Sequence, residues 1–155
     1  MPTNRWLNAA YFLQRRLWRL LRPRTRGVKV MVFNADQELA LVRNGYGRSD
    51  LFVLPGGGVR WFEQPAEAAA REVREELGVD VTNLKLISEH ASSAEGKRDR
   101  IYLFAARADE PLQIDNFEVQ EARFVHMTDL PTNISPATRR RIEEYRGVRE
   151  ADGGW

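Results

Sequence analysis

The 155-residue sequence predicts an α/β domain in which helices cover a mixed β-sheet. Strand-like and helix-like segments interleave along the chain, and most links between strands are too short for a crossover helix, which disfavours a doubly wound parallel sheet. The length and the composition, with 43% hydrophobic and 30% charged residues, are typical of one globular domain. The sequence contains no cysteine, so disulfides, thiolate zinc sites and cysteine nucleophiles are excluded.

The first 26 residues form a basic arm that differs from the rest of the chain. Residues 1–27 contain seven arginines and no acidic residue, whereas the remainder contains 17 basic and 22 acidic residues, a net charge of −5. Apolar residues recur at spacings of three and four between Trp6 and Leu21 until Pro23, so we expect an amphipathic helix.

Three interpretations of this arm remain open. It could contact an anionic membrane surface, pack on the domain or on a second subunit of a homodimer, or act as a transit peptide. Packing is favoured over membrane contact, because Phe12 interrupts the arginine face of the helix.

Several short segments after the arm have the pattern of β-strands. Val28–Phe33 and Leu39–Val42 flank a turn-like Asn34-Ala35-Asp36, and Leu51–Leu54 is a short run closed by a proline and three glycines. Further strands are expected at Leu84–His90, Ile101–Ala106 and Ala122–His126. His90 and His126 are interpreted as packing or rim residues.

Two segments predict helices. Gln64–Leu77 has a proline in its first turn, is rich in alanine and stops at Gly78, and Pro136–Tyr145 follows Ser135 as N-cap. We interpret Arg139–Arg141 as a solvated face and Ala151–Trp155 as a tail without a structural signal. The expected organisation is therefore an arm at 1–26, a domain at 27–147 and a tail at 148–155.

Three glutamates on the first predicted helix carry the functional signal. Glu72, Glu75 and Glu76 lie at i, i+3 and i+4, so their carboxylates share one face and repel one another. A hard divalent cation such as Mg²⁺ would neutralise them. The amides of the preceding Gly56–Gly58 loop favour an anion, and Glu63 is placed to pair with Arg71. Either feature alone is usually a solvated helix or an ordinary turn; together they favour a metal-assisted diphosphate site.

This stretch resembles the Nudix box. Gly57, five residues, Glu63, seven residues and then the segment 71–79 (REVREELGV) match its required positions, and the resemblance extends from about Gly27 to Gly147. It implies a Nudix hydrolase, with an α/β/α sandwich around a mixed sheet. Such enzymes cleave nucleoside diphosphates linked to another moiety, with Mg²⁺ or Mn²⁺ as cofactor.

The resemblance also implies roles for individual residues. The ligands of the metal would be Glu72, Glu75, Glu76 and the Gly56 carbonyl, and any of the three carboxylates could position or deprotonate the attacking water. Arg71 would orient the carboxylates, while the loop and the helix end would be supported by Gly57, Glu63 and Gly78. A further metal-binding or general-base glutamate is expected at Glu118, with Glu121 as its competitor.

Substrate contacts are less well marked in the sequence. The loop before the helix departs from the family's habit, since relatives commonly carry an acidic residue at Arg60 and glycine at Phe62. Side chains that could contact substrate are Tyr46, Arg60, Trp61, Phe62 and Arg98, although the aromatic ones could equally pack over the edge of the core.

The predicted function is metal-dependent hydrolysis of a diphosphate linkage in a nucleotide derivative, in a cytoplasmic protein whose partner is a small-molecule substrate. Two alternatives are kept. One is a non-catalytic sensor of such ligands on the same fold. The other is a pyrophosphohydrolase that processes RNA ends with the help of the basic arm; beyond this alternative, no nucleic-acid partner is expected.

Overall fold

A computed structural model describes residues 24–45, 50–92, 98–114 and 118–155, and the predicted N-terminal helix lies outside these ranges. The described part contains five strands and two helices. In chain order they are β1 Arg24–Phe33, β2 Leu39–Asn44, α1 Pro65–Leu77, β3 Thr82–Ser92, β4 Arg98–Arg107, β5 Val119–Val125 and α2 Pro136–Tyr145.

The strands form one mixed sheet, as the sequence predicts, and their order in the sheet is β3-β4-β1-β2-β5. β1 is parallel to β4, and the other neighbours are antiparallel. β1 pairs with β4 from Arg24 onward, so the strand starts three residues before the expected domain boundary. The run Leu51–Leu54 contributes two isolated bridges, at Phe52 and Val53, in place of a continuous strand.

The two helices cover opposite faces of the sheet. Alternate residues of a strand point to opposite faces, and the buried residues of β1 accordingly divide into two clusters. α1 belongs to one cluster through Ala68, Ala69, Val73 and Leu77, which join Val28, Val30 and Val32. α2 belongs to the other through Ile142, which joins Met31, Phe33, Leu39 and Leu103. The result is an α/β/α sandwich.

The ends of α1 are set by local sequence signals. Pro65 occupies the first turn, and the backbone N–H of Gln64 donates to Glu67 at 2.9 Å. The helix ends at Gly78, which adopts a left-handed φ of 66° while its N–H donates to the Arg74 carbonyl. A Cβ at Gly78 would lie 2.1 Å from the Gln113 carbonyl oxygen, so only glycine fits.

The C-terminal region corrects two sequence interpretations. Arg141 is fully buried and not part of a solvated face; its guanidinium donates to the Gly154 carbonyl and contacts His90. The tail is also ordered against β3, because the Ala91 N–H donates to the Gly153 carbonyl at 3.1 Å and the Trp155 N–H donates to the Ala91 carbonyl at 3.1 Å. Sequence patterns missed both features because Arg141 contacts His90, 51 positions away, and the tail pairs with Ala91, more than 60 positions away.

No helix within the described ranges is both long and apolar enough to cross a membrane.

Candidate active site

The candidate site lies where the glycine loop passes between β1 and α1. The loop is bonded to β1, because the Val28 N–H donates to the Gly57 carbonyl at 2.9 Å. A Cβ at Gly56, whose φ is 142°, would lie 2.1 Å from the Val28 carbonyl oxygen. A Cβ at Gly57 would lie 2.6 Å from the carboxylate of Glu72. Gly56 therefore lets the loop lie close against β1, and Gly57 lets it approach α1 closely.

Arg71 connects this loop to the glutamates of α1. Its Nε and Nη2 donate to the two carboxylate oxygens of Glu63 at 2.7 and 2.9 Å. Its Nη1 donates to Glu72 at 2.7 Å and to Glu75 at 3.1 Å, and Nη2 also donates to the Gly58 carbonyl at 2.9 Å. All three guanidinium nitrogens are thus engaged, in a planar geometry that suits bidentate carboxylate binding.

Glu63 and Arg71 shift each other's pKa values. The hydrogen bonds from Arg71 are the main cause that lowers the pKa of Glu63 from 4.5 to about 2, and burial acts in the opposite direction. The pKa of Arg71 is raised above its ordinary value, mainly by its bonds to Glu63. The pair is therefore ionised throughout the physiological range.

Glu76 lies in the most buried position of the three helix glutamates. Its side chain accepts a hydrogen bond from the Gly56 N–H at 2.8 Å, and the residue is 6% exposed. Burial raises the pKa of Glu76 from 4.5 to about 7. The Lys29 ammonium and the Gly56 N–H oppose this rise, whereas the negative charges of Glu72 and Glu118 add to it.

Lys29 is a site residue that sequence reasoning missed. It lies in β1, and its Nζ donates to the carbonyls of Leu54 at 2.9 Å and Gly56 at 3.4 Å. Burial lowers the pKa of Lys29, while Glu76 and Glu72 oppose this shift. A lone lysine within the apolar run VKVMVF was the available signal, since a buried ammonium requires acceptors.

The donor set fits a hard divalent cation in its chemistry. Carboxylates and a carbonyl are oxygen ligands of the kind that Mg²⁺ and Mn²⁺ prefer, and the mutual repulsion of Glu72, Glu76 and Glu118 is relieved by added positive charge. In the described ranges, no three acidic or histidine side chains already converge as a preformed metal cluster. The glutamates are instead held by Arg71 and by the Gly56 N–H.

The two competing glutamates near β5 differ in their surroundings. Glu118 is exposed and contributes negative charge at Glu76. Glu121 forms an ion pair with Arg43 of the neighbouring strand at 3.1 Å, so its carboxylate is engaged within the sheet.

The residues considered for substrate contact fall into two groups. Arg60 places its guanidinium 3.5 Å from Glu75, and the adjacent Trp61 and Phe62 are 87% and 93% exposed. The two rings therefore do not pack over the core edge. Tyr46 and the side chain of Arg98 lie outside the described residues, so both stay predictions.

The two histidines have structural surroundings. His90 is buried, with Nε2 2.7 Å from the Ser88 hydroxyl, and burial, followed by the charge of Arg141, lowers its pKa. His126 lies at the rim, 3.3 Å from a carboxylate oxygen of Glu38.

Comparison with known proteins connects this geometry to a family. A family model described as NUDIX domain matches residues 23–145. An uncharacterized Nudix hydrolase of Pseudomonas aeruginosa is 33% identical over 107 residues, which are 64% of this chain and 62% of that relative. The NAD-capped RNA hydrolase NudC of Salmonella paratyphi C is 28% identical over 126 residues, 79% of this chain and 48% of the relative. The chain thus spans between about half and three fifths of the length of these relatives.

The same likeness is present in three dimensions. The crystal structure of a MutT NUDIX hydrolase from Burkholderia pseudomallei matches with a TM-score of 0.67 at 23% identity, and the match covers 77% of this chain and 96% of that one. At this identity the likeness establishes the fold and not the substrate.

Proposed function

This chain belongs to the Nudix family, and from that premise we propose that it is a pyrophosphohydrolase, which hydrolyses a diphosphate linkage in a nucleoside diphosphate derivative with Mg²⁺ or Mn²⁺. Nudix hydrolases generally use divalent cations and act on small nucleotide substrates. The observation that carries the proposal is the face of α1, where Glu72 and Glu76 lie against the glycine loop and Arg71 engages Glu72 and Glu75.

The chain's own residues would prepare the site in a definite way. Glu72, Glu75 and Glu76, with the Gly56 carbonyl, would hold the cation, and Arg71 would keep two of these carboxylates oriented. When bound, a divalent cation neutralises charge on the diphosphate and stabilises the leaving oxygen. The Gly56 N–H donates to Glu76, and the other backbone N–H groups of the glycine loop would donate hydrogen bonds to the substrate's phosphate oxygens.

Water then attacks phosphorus in line, and the anhydride bond breaks to give two phosphate-bearing fragments. A carboxylate must position this water and take its proton. We favour Glu118 over Glu121 as the additional glutamate, because Glu118 is exposed and acts electrostatically on Glu76 while Glu121 is paired with Arg43. Glu76 and its two neighbours on α1 remain the other candidates for this role.

A substrate panel with matched variants tests the proposal. Purified protein would be assayed with deoxynucleoside triphosphates, dinucleoside polyphosphates, ADP-ribose and nucleotide sugars, with Mg²⁺ or Mn²⁺. Glu76→Gln should remove most of the turnover, whereas Glu110→Gln, which neutralises an exposed carboxylate elsewhere, should not. Near-normal turnover by Glu76→Gln would contradict the assignment, and failure of the wild type on the whole panel would favour the sensor alternative.

A second candidate, processing of RNA ends, is favoured by one comparison and by the basic arm. NudC, which is named for its action on NAD-capped RNA, is similar over 79% of this chain. Seven arginines and no acid in residues 1–27 would add phosphate contacts. Such contacts release counterions, so RNA affinity should fall steeply with salt. A flat salt response would exclude this candidate.

A further inference from the structure

Two adjacent aromatic side chains project into solvent beside the candidate site. Trp61 is 87% exposed and Phe62 is 93% exposed, which makes them the most exposed large apolar side chains in the described ranges. Single exposed apolar residues are common on protein surfaces, whereas large exposed apolar patches mark interaction sites. Because the rings contribute little to the core, their presence needs a reason outside folding stability.

The backbone that carries the rings is held in place at both ends. The Glu63 N–H donates to the Arg60 carbonyl at 3.2 Å, and the Arg60 N–H donates to the Glu63 carboxylate at 2.9 Å. Arg26 from β1 donates to the carbonyls of Arg60 at 3.3 Å and Glu63 at 3.5 Å. The turn 60–63 is therefore preorganised, which lowers the entropy that is lost when a ligand binds to the rings.

The same turn is attached to the glutamates of α1. Glu63 shares Arg71 with Glu72, and the Arg60 guanidinium lies 3.5 Å from Glu75. A diphosphate at the glutamates would thus lie next to the aromatic turn. Arg60 itself is two-thirds exposed, so its charge is accessible to an anionic ligand.

We propose that Trp61 and Phe62 form a stacking platform for the heteroaromatic base of the substrate, and that the enzyme thereby selects base-bearing over base-free diphosphates. This inference rests on the proposed function and adds the part of the substrate that is recognised. Bases stack on aromatic side chains with little regard to their identity, so the platform would recognise a nucleoside without choosing one base.

A lipid surface is the other ligand that exposed tryptophan and phenylalanine could contact. The structure favours the base, because the turn is bonded to the arginine that also holds the site glutamates. A membrane anchor would gain nothing from this connection, whereas a base-binding platform needs a fixed position relative to the diphosphate.

Steady-state kinetics on two substrates tests the platform. Trp61→Ala, Phe62→Ala and Trp61→Phe would be assayed with the best nucleotide of the panel and with phosphoribosyl pyrophosphate, which has a diphosphate but no base. For the nucleotide, we expect KM to rise roughly tenfold in both alanine variants while kcat stays within about twofold. Trp61→Phe should keep a near-normal KM, and the base-free substrate should show no change.

A matched control separates this effect from a general loss of exposed apolar surface. Val148 is 64% exposed and lies beyond the end of α2, so Val148→Ala should leave both KM values unchanged. An equal change for both substrates, or no change for the nucleotide in either alanine variant, would overturn the platform while leaving the hydrolase activity established.

Two further measurements cover the remaining outcomes. If the alanine variants lose sedimentation with phosphatidylserine vesicles and keep the wild-type KM, the rings contact lipid and the inference is wrong. If the wild type hydrolyses nothing on the panel, the proposed function fails first. In that case, quenching of tryptophan fluorescence by ADP in the wild type but not in Trp61→Phe would still support base stacking. Absence of quenching in the wild type would overturn the inference.

Discussion

Replacing Glu63 by glutamine should lower the free energy of unfolding at pH 7 by about 1–2 kcal/mol. Two bonds from Arg71, at 2.7 and 2.9 Å, and the N–H of Arg60 stabilise the charged carboxylate and hold its pKa at about 2 instead of 4.5. A shift of this size corresponds to about 3 kcal/mol if fully expressed. Solvent at the edge of the turn screens the interaction, so a loss of about 1–2 kcal/mol is expected instead of the full value.

The pH dependence of this contribution has a definite sign. The pKa of Glu63 is lower in the folded protein than the ordinary 4.5, so the folded state binds fewer protons than the unfolded state between these values. The stabilisation is therefore complete above about pH 4.5 and is lost as the pH falls toward about 2. The difference between the wild type and Glu63→Gln should close in the same interval.

Urea unfolding followed by circular dichroism at pH 7, 5, 4 and 3.5 would measure this difference. Glu110→Gln serves as the matched control, because it removes one exposed carboxylate that lies between β4 and β5. Equal stability of the wild type and Glu63→Gln at pH 7, or a difference that stays constant down to pH 3.5, would refute the reasoning.

Three further predictions follow from the site and from the C-terminal region. Glu76→Gln should lower kcat by about 100- to 10,000-fold with an unchanged or higher melting temperature, since a buried charge is removed; a melting temperature several degrees lower would show a structural role instead. Lys29→Met should lower the free energy of unfolding by about 1–3 kcal/mol, because the Leu54 carbonyl loses its donor and Glu76 loses a nearby positive charge. Thermal unfolding would measure this, with Lys29→Arg as the control that keeps the charge. Equal stability of Lys29→Met and the wild type would contradict the prediction. Arg141→Met should lower the free energy of unfolding by about 3 kcal/mol and should speed hydrogen exchange at the Trp155 amide. Unchanged exchange at this amide would show that the tail docks without the guanidinium.

The helices could be predicted to within one residue because their signals are local. α1 has its proline, alanines and terminal glycine, and in α2 the Ser135 hydroxyl accepts from the Thr138 N–H. The strands extend further than their apolar patterns, as β1 does at Arg24 and β3 at Thr82. Pairing with β4 supplies the backbone hydrogen bonds for these extra residues. The residue pattern of one segment does not indicate which strand it will pair with.

Some residues of the candidate site could be predicted from the sequence and others could not. Glu72, Glu75 and Glu76 could be placed on one face because helical spacing alone brings them together. Lys29 could not be placed, since its acceptors lie 25 and 27 residues away across the glycine loop. The exposure of Trp61 and Phe62 likewise depends on how the turn 60–63 is held by Arg26, which the local sequence does not encode.

The distribution of charge at α1 supports the proposed use of a cation, even though basic residues are close. Arg71 uses every guanidinium nitrogen on Glu63, Glu72, Glu75 and the Gly58 carbonyl. Lys29 donates to two loop carbonyls, and burial disfavours its charge. These residues fix the shape of the site and leave Glu76 with a pKa near 7, where a proton competes with any other cation. A divalent ion is the species that can displace this proton and still accept the oxygens of a diphosphate, which is the physical basis for proposing metal-dependent hydrolysis at this helix.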